Sequence, residues 1–396
     1  MRSTPALTLL ASLTSLASST GAAEANCPTK HSGTLQQIVQ SWVDNNQPGV
    51  AFGLCAVAMD KHGNKGFACS GKANATRGLD SDTLFQIGSI TKTVTAALLA
   101  RRVVEGTFQL TDRLDPHLPS QFRRFSANPI KVLDLATHHS GLPRDPSVWQ
   151  GANKDFALLD DCIDTGCLAS GTPYEYSNFG FQILGYTLSN ADGYGNNWFA
   201  DVEWNILGLN LMYATKPIEE WKRVDQAYFN AHAASSHGIS ASNAWTDLGT
   251  AAHPHCSTAD PSGCLYASPH DMRLWLEYTM GLRTPTQLLG NARDVLRQTY
   301  DDGSSSVNDM GLAWRFSYDP DTQCHAIPGP TPGYYTRVAK SGDVDGQHAW
   351  MEFLQDPNDP EGVAPLGVVV MANSEIKGTQ SLGALGQDLL SKLPLP

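Results

Sequence analysis

The sequence predicts an α/β (α+β) fold, an antiparallel sheet flanked by helices from its N- and C-terminal ends, with a large, mainly helical insertion between them. Three observations lead there. From Thr34 to Asn45, Leu35, Ile38, Val39 and Trp42 recur at helical spacing. Two apolar runs follow, Val50 to Met59 and Gly66 to Ser70, on either side of the polar turn Lys61-His62-Gly63-Asn64-Lys65, which reads as a hairpin. The C-terminal end mirrors this with strands over Thr336 to Ala339, Ala349 to Leu354 and Leu366 to Met371, then a helix carrying Leu382, Leu385, Leu389, Leu390 and Leu393. Residues 26–80 and 331–396 are therefore expected to build one sheet domain, and 81–330 an inserted, mainly helical one.

Composition sets outer limits. Nine Trp, twelve Tyr and thirteen Phe in 396 residues bury enough apolar area to exclude bulk disorder. A formal charge of −12 with no basic run excludes nucleic acid as a partner and disfavours anionic membrane surfaces. At the amino end, Arg2, the apolar stretch Ala6 to Ala17 and Ala23-Glu24-Ala25 have the order of a secretory signal, residues 1–25, cut after Ala25. The expected location is secreted or periplasmic, with no integral membrane segment left after cleavage. Glu24-Ala25-Asn26 before Cys27 is not a lipobox, and the best later apolar run, Val363 to Ala372, is broken by Pro365 and reads as a buried strand.

All eight cysteines lie beyond that cut, which fits an oxidising compartment. A hairpin centred on His62 puts Cys55 opposite Cys69, so a cross-strand bridge is expected there. Cys162–Cys167 and Cys256–Cys264 would close short loops, and Cys27–Cys324 follows by elimination. His253-Pro254-His255-Cys256 invites a metal reading, but C-x-x-C and H-E-x-x-H spacings are lacking, and no metal or cofactor is expected. Asn74-Ala75-Thr76 is a glycosylation acceptor in a eukaryotic host.

Three short patterns carry chemistry. Ser89-Ile90-Thr91-Lys92 opens a helix running through Val94, Leu98, Leu99 and Val103 to Gly106, so Ser89 and Lys92 fall on one face. An adjacent amine of lowered pKa accepts a serine proton and makes a nucleophile without histidine. A second copy, Ser374-Glu375-Ile376-Lys377, lies in a strand-to-helix loop where nothing fixes the pair on one face. Tyr176-Ser177-Asn178 follows Gly171-Thr172-Pro173 and precedes the apolar helix Phe181 to Leu188, placing a phenol for proton relay beside an amide for substrate binding. Tyr194-Gly195-Asn196 sits in a glycine-flanked turn, and Tyr228-Phe229-Asn230 lacks both the preceding turn and the following helix. Lys340-Ser341-Gly342, expected at a strand end, offers a charge, a hydroxyl and a close backbone approach.

These three patterns, in this order, resemble the S-x-x-K, Y-x-N and K-[TS]-G motifs of the penicillin-binding and class C β-lactamase type of serine hydrolase, including its D-alanyl-D-alanine carboxypeptidases. Leu133 to Pro143 and Tyr266 to Met272 add family-like wording, and the similarity runs from about residue 34 to the end. A β-lactamase/transpeptidase-like fold is thereby implied, as is an acyl-enzyme mechanism on amide or lactam bonds. Ser89 would be the nucleophile, and Lys92 and Tyr176 would handle its proton, with the choice of base open. Backbone N–H groups of Ser89 and Asp343 would hold the oxyanion. Asn178 would bind the acyl amide, Lys340 would attract a substrate carboxylate, and Ser341 and Gly342 would line the far end. Expected substrates are a peptide, a β-lactam or a small ester. The leading activity is a D-alanyl-D-alanine-type peptidase with β-lactamase activity. Its rivals are an esterase, a peptidase for other linear peptides, and a penicillin-binding protein with little turnover. Asp343-Val344-Asp345 would weaken carboxylate attraction if its side chains point inward, and would be solvated turn residues if they point out. His138 and His139 are expected to be structural, and the lack of a G-x-S-x-G elbow counts against an α/β-hydrolase.

Overall fold

The computed structural model describes residues 30–50, 52–122, 129–145, 159, 174–209, 211–212, 215–217, 220, 225–239, 245–249, 260–300, 308–317, 325, 327, 333–376 and 381–396. The expected leader, the Gly171-Thr172-Pro173 turn, His253-Pro254-His255-Cys256 and five cysteines (Cys27, Cys162, Cys167, Cys256 and Cys324) lie outside these residues.

Helix α1 (Leu35–Asn46) starts where Thr34 caps it: the Thr34 hydroxyl accepts from Gln37 N–H while the Gln37 side chain accepts from Thr34 N–H. Its Ile38, Val39, Trp42 and Val43 are buried. Strands β1 (Gly53–Asp60) and β2 (Lys65–Gly71) then form the expected hairpin. Cys55 stands opposite Cys69 in the register, and the two are joined by a disulfide. That bond fits an extracytoplasmic protein. Cys264 is also disulfide-bonded.

The C-terminal strands are longer than the sequence signals. β11 (Thr336–Val344), β12 (Gln347–Gln355) and β13 (Leu366–Ala372) pair antiparallel, and β13 pairs with β1. Lys340-Ser341-Gly342 therefore lies inside a strand rather than at its end. The polar Asp343 does not stop pairing, because it stands opposite His348, and the chain turns only at Gly346, with φ of 70°. The sheet also takes strands from within the stretch expected to be inserted. β8 (Thr299–Tyr300), β9 (Asn308–Gly311) and β10 (Arg315–Ser317) extend the order to β2-β1-β13-β12-β11-β10-β9-β8.

One face of this sheet is covered by α1 and the last helix, Leu382–Lys392. The other face packs on the helical part, led by α2 (Thr91–Glu105), α3 (Val132–Ala136), α4 (Asn178–Ala191) and α5 (Pro269–Met280). A small sheet joins β3 (Phe85–Gln86), β7 (Leu265–Ala267) and β4 (Lys216–Pro217), and its β3 lies directly before the turn into α2. Among the described residues no helix is long and apolar enough to cross a membrane.

Candidate active site

Two glycines bring the first and third motifs together. After β3 the chain makes a 3₁₀ turn, Gly88–Ile90, and enters α2. Gly88 has φ of 51°, and a Cβ there would stand 2.8 Å from Asp343 N. A Cβ on Gly342 would stand 1.9 Å from the Ile87 carbonyl oxygen. Only glycine allows so close a backbone approach. β10 pairs with β11 no further than Ala339, so from Lys340 onward that edge of β11 meets the Ser89 turn, while its other edge stays paired with β12.

Lys92, one turn further on, is fully buried, whereas Ser89 is half-buried. The Lys92 Nζ lies 3.1 Å from Ser89 Oγ, 2.5 Å from Asn178 Oδ1 and 2.7 Å from the Ser262 carbonyl oxygen. Asn178 Nδ2 donates to the Asp145 carboxylate at 2.7 Å, and a carboxylate only accepts, so the amide orientation is fixed. The Ser262 carbonyl and Asn178 Oδ1 are then both pure acceptors. A neutral Lys92 amine gives its two hydrogens to them, which leaves its lone pair for the Ser89 hydroxyl. Burial pulls Lys92 down to about 7, against the opposing charges of Asp260 and Asp145 and with a smaller lowering effect from Arg144. Burial thus favours the neutral amine, the form that can accept a proton.

Tyr176 OH lies 2.6 Å from Ser89 Oγ. Its loop is clamped from behind. Ser177 caps α4, with its Oγ accepting from Gly180 N–H and donating to the Pro143 carbonyl. Ser177 N–H donates to His138 Nδ1 at 3.0 Å, and the His138 ring packs on Tyr176 with centroids 4.4 Å apart. Burial, with the charges of Lys340 and Lys92, holds His138 well below the ordinary imidazole value, so it stays a neutral acceptor. The expectation of a structural histidine fits this geometry. His139 is also buried and contacts Thr137 Oγ1 at 3.0 Å.

Lys340 is buried, hydrogen-bonded to Tyr176, with its Nζ 5.0 Å from the centre of that ring. Burial lowers it to about 8, opposed by Tyr176 and aided by the Lys92 charge. Ser341 pairs with Trp350 across β12. Asp343 and Asp345 are exposed, and the Asp343 carboxylate is held by His348 Nδ1 at 2.8 Å, so its charge is partly balanced. Burial opposes protonation of His348, but the bonds to Asp343 and Glu375 win and raise it above the ordinary imidazole value.

Ser374 and Asn196, from two of the other copies of these patterns, make their bonds elsewhere. Ser374 accepts from Phe52 N–H on the sheet, and Lys377 lies outside the described residues. Asn196 is bonded to Asn190 near the end of α4. Among the described residues no group of histidine, cysteine, aspartate and glutamate is placed to hold a metal ion.

Sequence reasoning missed the floor of the site. Asp260 is buried, and its carboxylate accepts from Ser262 N–H at 2.6 Å, from the Ser262 hydroxyl and from the Gln182 side chain. The segment it begins is strapped along α2: Thr95 Oγ1 donates to the Pro261 carbonyl and Thr91 Oγ1 accepts from Leu265 N–H. Two faint signals existed. One was Asp-x-Ser, the pattern of a carboxylate capping its own turn. The other was Gln182, a polar residue near the start of a mostly apolar helical run, one turn from Asn178.

Comparison with known proteins now bears on these groups. The family model described as Beta-lactamase matches residues 35–388. The chain belongs to the β-lactamase family, whose members are serine hydrolases. A D-alanyl-D-alanine-carboxypeptidase/endopeptidase AmpH of Escherichia coli is 26% identical over 208 residues, covering 50% of this chain and 49% of that protein. A β-lactamase of Lysobacter lactamgenus is 32% identical over 108 residues, 27% of each chain. The chain thus matches about half the length of the first relative and less of the second. Among solved structures, a β-lactamase/D-alanine carboxypeptidase from Pseudomonas syringae shares the fold with a TM-score of 0.69 at 20% identity, over 90% of this chain and 98% of that one. A class C β-lactamase does so with a TM-score of 0.70 at 18% identity, over 92% and 99%. The fold is therefore of the β-lactamase/transpeptidase-like kind.

Proposed function

We propose that this β-lactamase family member is an exported serine hydrolase that opens amide or lactam bonds through an acyl-enzyme on Ser89, chiefly as a D-alanyl-D-alanine-type peptidase with β-lactamase activity. The observation that carries the reading is the Lys92 hydrogen-bond set, in which two fixed acceptors take the amine hydrogens and leave the lone pair for Ser89. Lys92 is then the base. Ser89 Oγ attacks the carbonyl carbon as its proton passes to Nζ, and the oxyanion sits between the N–H groups of Ser89 and Asp343. Collapse of the intermediate breaks the C–N bond, and the Tyr176 hydroxyl hands a proton to the leaving nitrogen. Tyr176 regains its proton from Lys92, directly or through Ser89, and water later releases the acyl group. Lys340 supplies positive charge beside Tyr176. The relatives support this reading: one is a carboxypeptidase/endopeptidase by name, and others are β-lactamases or the penicillin-binding protein 4* of Bacillus subtilis.

One contact favours a second reading. The Asn178 amide expected to hold an acyl amide is engaged at both ends, by Lys92 and by Asp145. A substrate without an acyl amide, such as a short ester, needs no exchange of those bonds. A purified sample treated with a fluorescent penicillin should be labelled, and Ser89→Ala should remove the label; a labelled Ser89→Ala would sink the nucleophile assignment. Nitrocefin hydrolysis, D-Ala release from a cell-wall peptide and cleavage of a short ester, run side by side, then separate lactamase, peptidase and esterase. Labelling without turnover on any of them would leave a penicillin-binding protein. Residues 1–25 as a signal, and a mainly helical stretch of 81–330 inserted into a sheet domain of 26–80 plus 331–396, apart from β8 to β10, which join the sheet, belong to the same proposal; mass spectrometry of the exported protein tests the cut after Ala25.

A further inference from the structure

Beneath the reacting groups lies a buried carboxylate that the chemistry above does not use. Asp260 is 1% exposed, and its hydrogen bonds to Ser262 and Gln182 lead back toward the Ser89–Lys92 pair. Its Oδ1 takes Ser262 N–H at 2.6 Å, and the carbonyl of that same Ser262 takes Lys92 Nζ at 2.7 Å. Gln182 reaches Asp260 from α4, one turn beyond Asn178, which reaches Lys92. One helix face therefore holds the acid with one side chain and the base with another. Burial pushes Asp260 up to about 6, and its three donors, together with the Lys92 charge, oppose that and favour the ionised form.

We propose that Asp260 is a positioning residue that sets both the place and the protonation of Lys92, by fixing the Ser262 carbonyl to which the amine donates and by standing as its buried counter-charge. The inference rests on the acyl-enzyme reading of Ser89 given above. A base needs to be neutral before it can take a proton, yet an unopposed buried lysine would be too weak a base to hold that proton in the transition state. A carboxylate one residue layer below strengthens the amine while its own donors keep it from taking the proton outright. The charged or titratable groups facing Lys92 are Asp260 behind it, Asp145 and Arg144 across Asn178, and Tyr176, His138 and Lys340 on the cleft side. Of the carboxylates, Asp145 is partly exposed, whereas Asp260 is enclosed and its field is little screened by water.

Asp260→Asn keeps an oxygen for Ser262 N–H while removing the charge and one of the two acceptor oxygens. The rate at which a fluorescent penicillin acylates the full-length protein, followed against pH, reads the effect. With the charge gone the ammonium form of Lys92 loses stabilisation, so the acid limb should move to lower pH, by about one pH unit. Asp260→Ala, which loses the bond to Ser262 as well, should in addition lower the plateau rate, by about tenfold or more. A wild-type acid limb in Asp260→Asn, or a drop that is equal at all pH values, would overturn the proposal. If the wild-type protein is not acylated at Ser89 at all, it is the acyl-enzyme reading that fails. Should Asp260→Asn not fold, Lys92→Met/Asp260→Asn decides by its unfolding midpoint. Recovery of a folded protein marks a charge pair, and failure to recover removes the counter-charge role.

Discussion

The two faces of the central sheet are built from alternate residues of the same strands, yet they are put to different uses. On β1, Leu54, Ala56 and Ala58 face the terminal helices, while Cys55, Val57 and Met59 face the helical part. The outer face is closed by Ile38, Val39, Trp42, Leu385 and Leu389, with one buried ion pair, Arg337 to Glu352, among them. The inner face is equally enclosed but admits Lys92, Lys340, His138 and Asp260 near its edge. Burial on the outer side contributes stability alone. On the inner side the same exclusion of water lowers Lys92 to about 7 and Lys340 to about 8, and so turns packing into reactivity. A core can carry chemistry when its charged groups are given partners, as Lys92 and Asp260 are on the inner face.

This contrast can be broken or sharpened by experiment. Lys92→Met should lower acylation by about 10²- to 10⁴-fold, the usual worth of a positioned base, with the fold kept, as stopped-flow labelling and circular dichroism would read. Gly342→Ala forces a Cβ to within 1.9 Å of the Ile87 oxygen and should push the Ser89 turn away from β11. A loss of about 10²-fold in kcat/KM is expected, and a fully active alanine variant would show that this approach is not what positions the oxyanion donors. The pH profile comes next. The base form of Lys92 is gained as pH rises through about 7, and the charge on Lys340 is lost as pH rises through about 8. Acylation should thus climb roughly tenfold from pH 5.5 to 6.5 and decline again above pH 8, and a flat profile would remove Lys92 as the base. On the outer face, Leu389→Ala should cost about 2–5 kcal/mol in urea unfolding and change kcat/KM by less than about twofold. A large activity loss there would show that the faces are coupled.

Much of the site was legible because its residues sit at fixed short spacings. Three residues on a helix bring Ser89 and Lys92 together whatever surrounds them, and Tyr176-Ser177-Asn178 turns sharply into α4 through its own serine cap. The Cys55–Cys69 bridge was readable from the hairpin for the same reason. Strand ends were less legible, since Asp343 resembles a stop signal until His348 is seen opposite it. The motif suggests substrate binding for Asn178, and the structure engages its amide at both ends, with Lys92 and Asp145. Asp145 lies 33 residues from its partner, a distance at which local pattern carries no information.

The sequence by itself determined the class of fold, the hairpin register and the identity of the three motifs, because local spacing and alternation dictate those. Only the tertiary structure decided that β8–β10 join the main sheet, that Gly88 and Gly342 meet backbone to backbone, and that Asp260 lies under Lys92. Each of these depends on segments distant in the chain, 170 residues in the case of Lys92 and Ser262, being pressed into one water-free space. In that space the cost of an unpaired charge makes every partner matter.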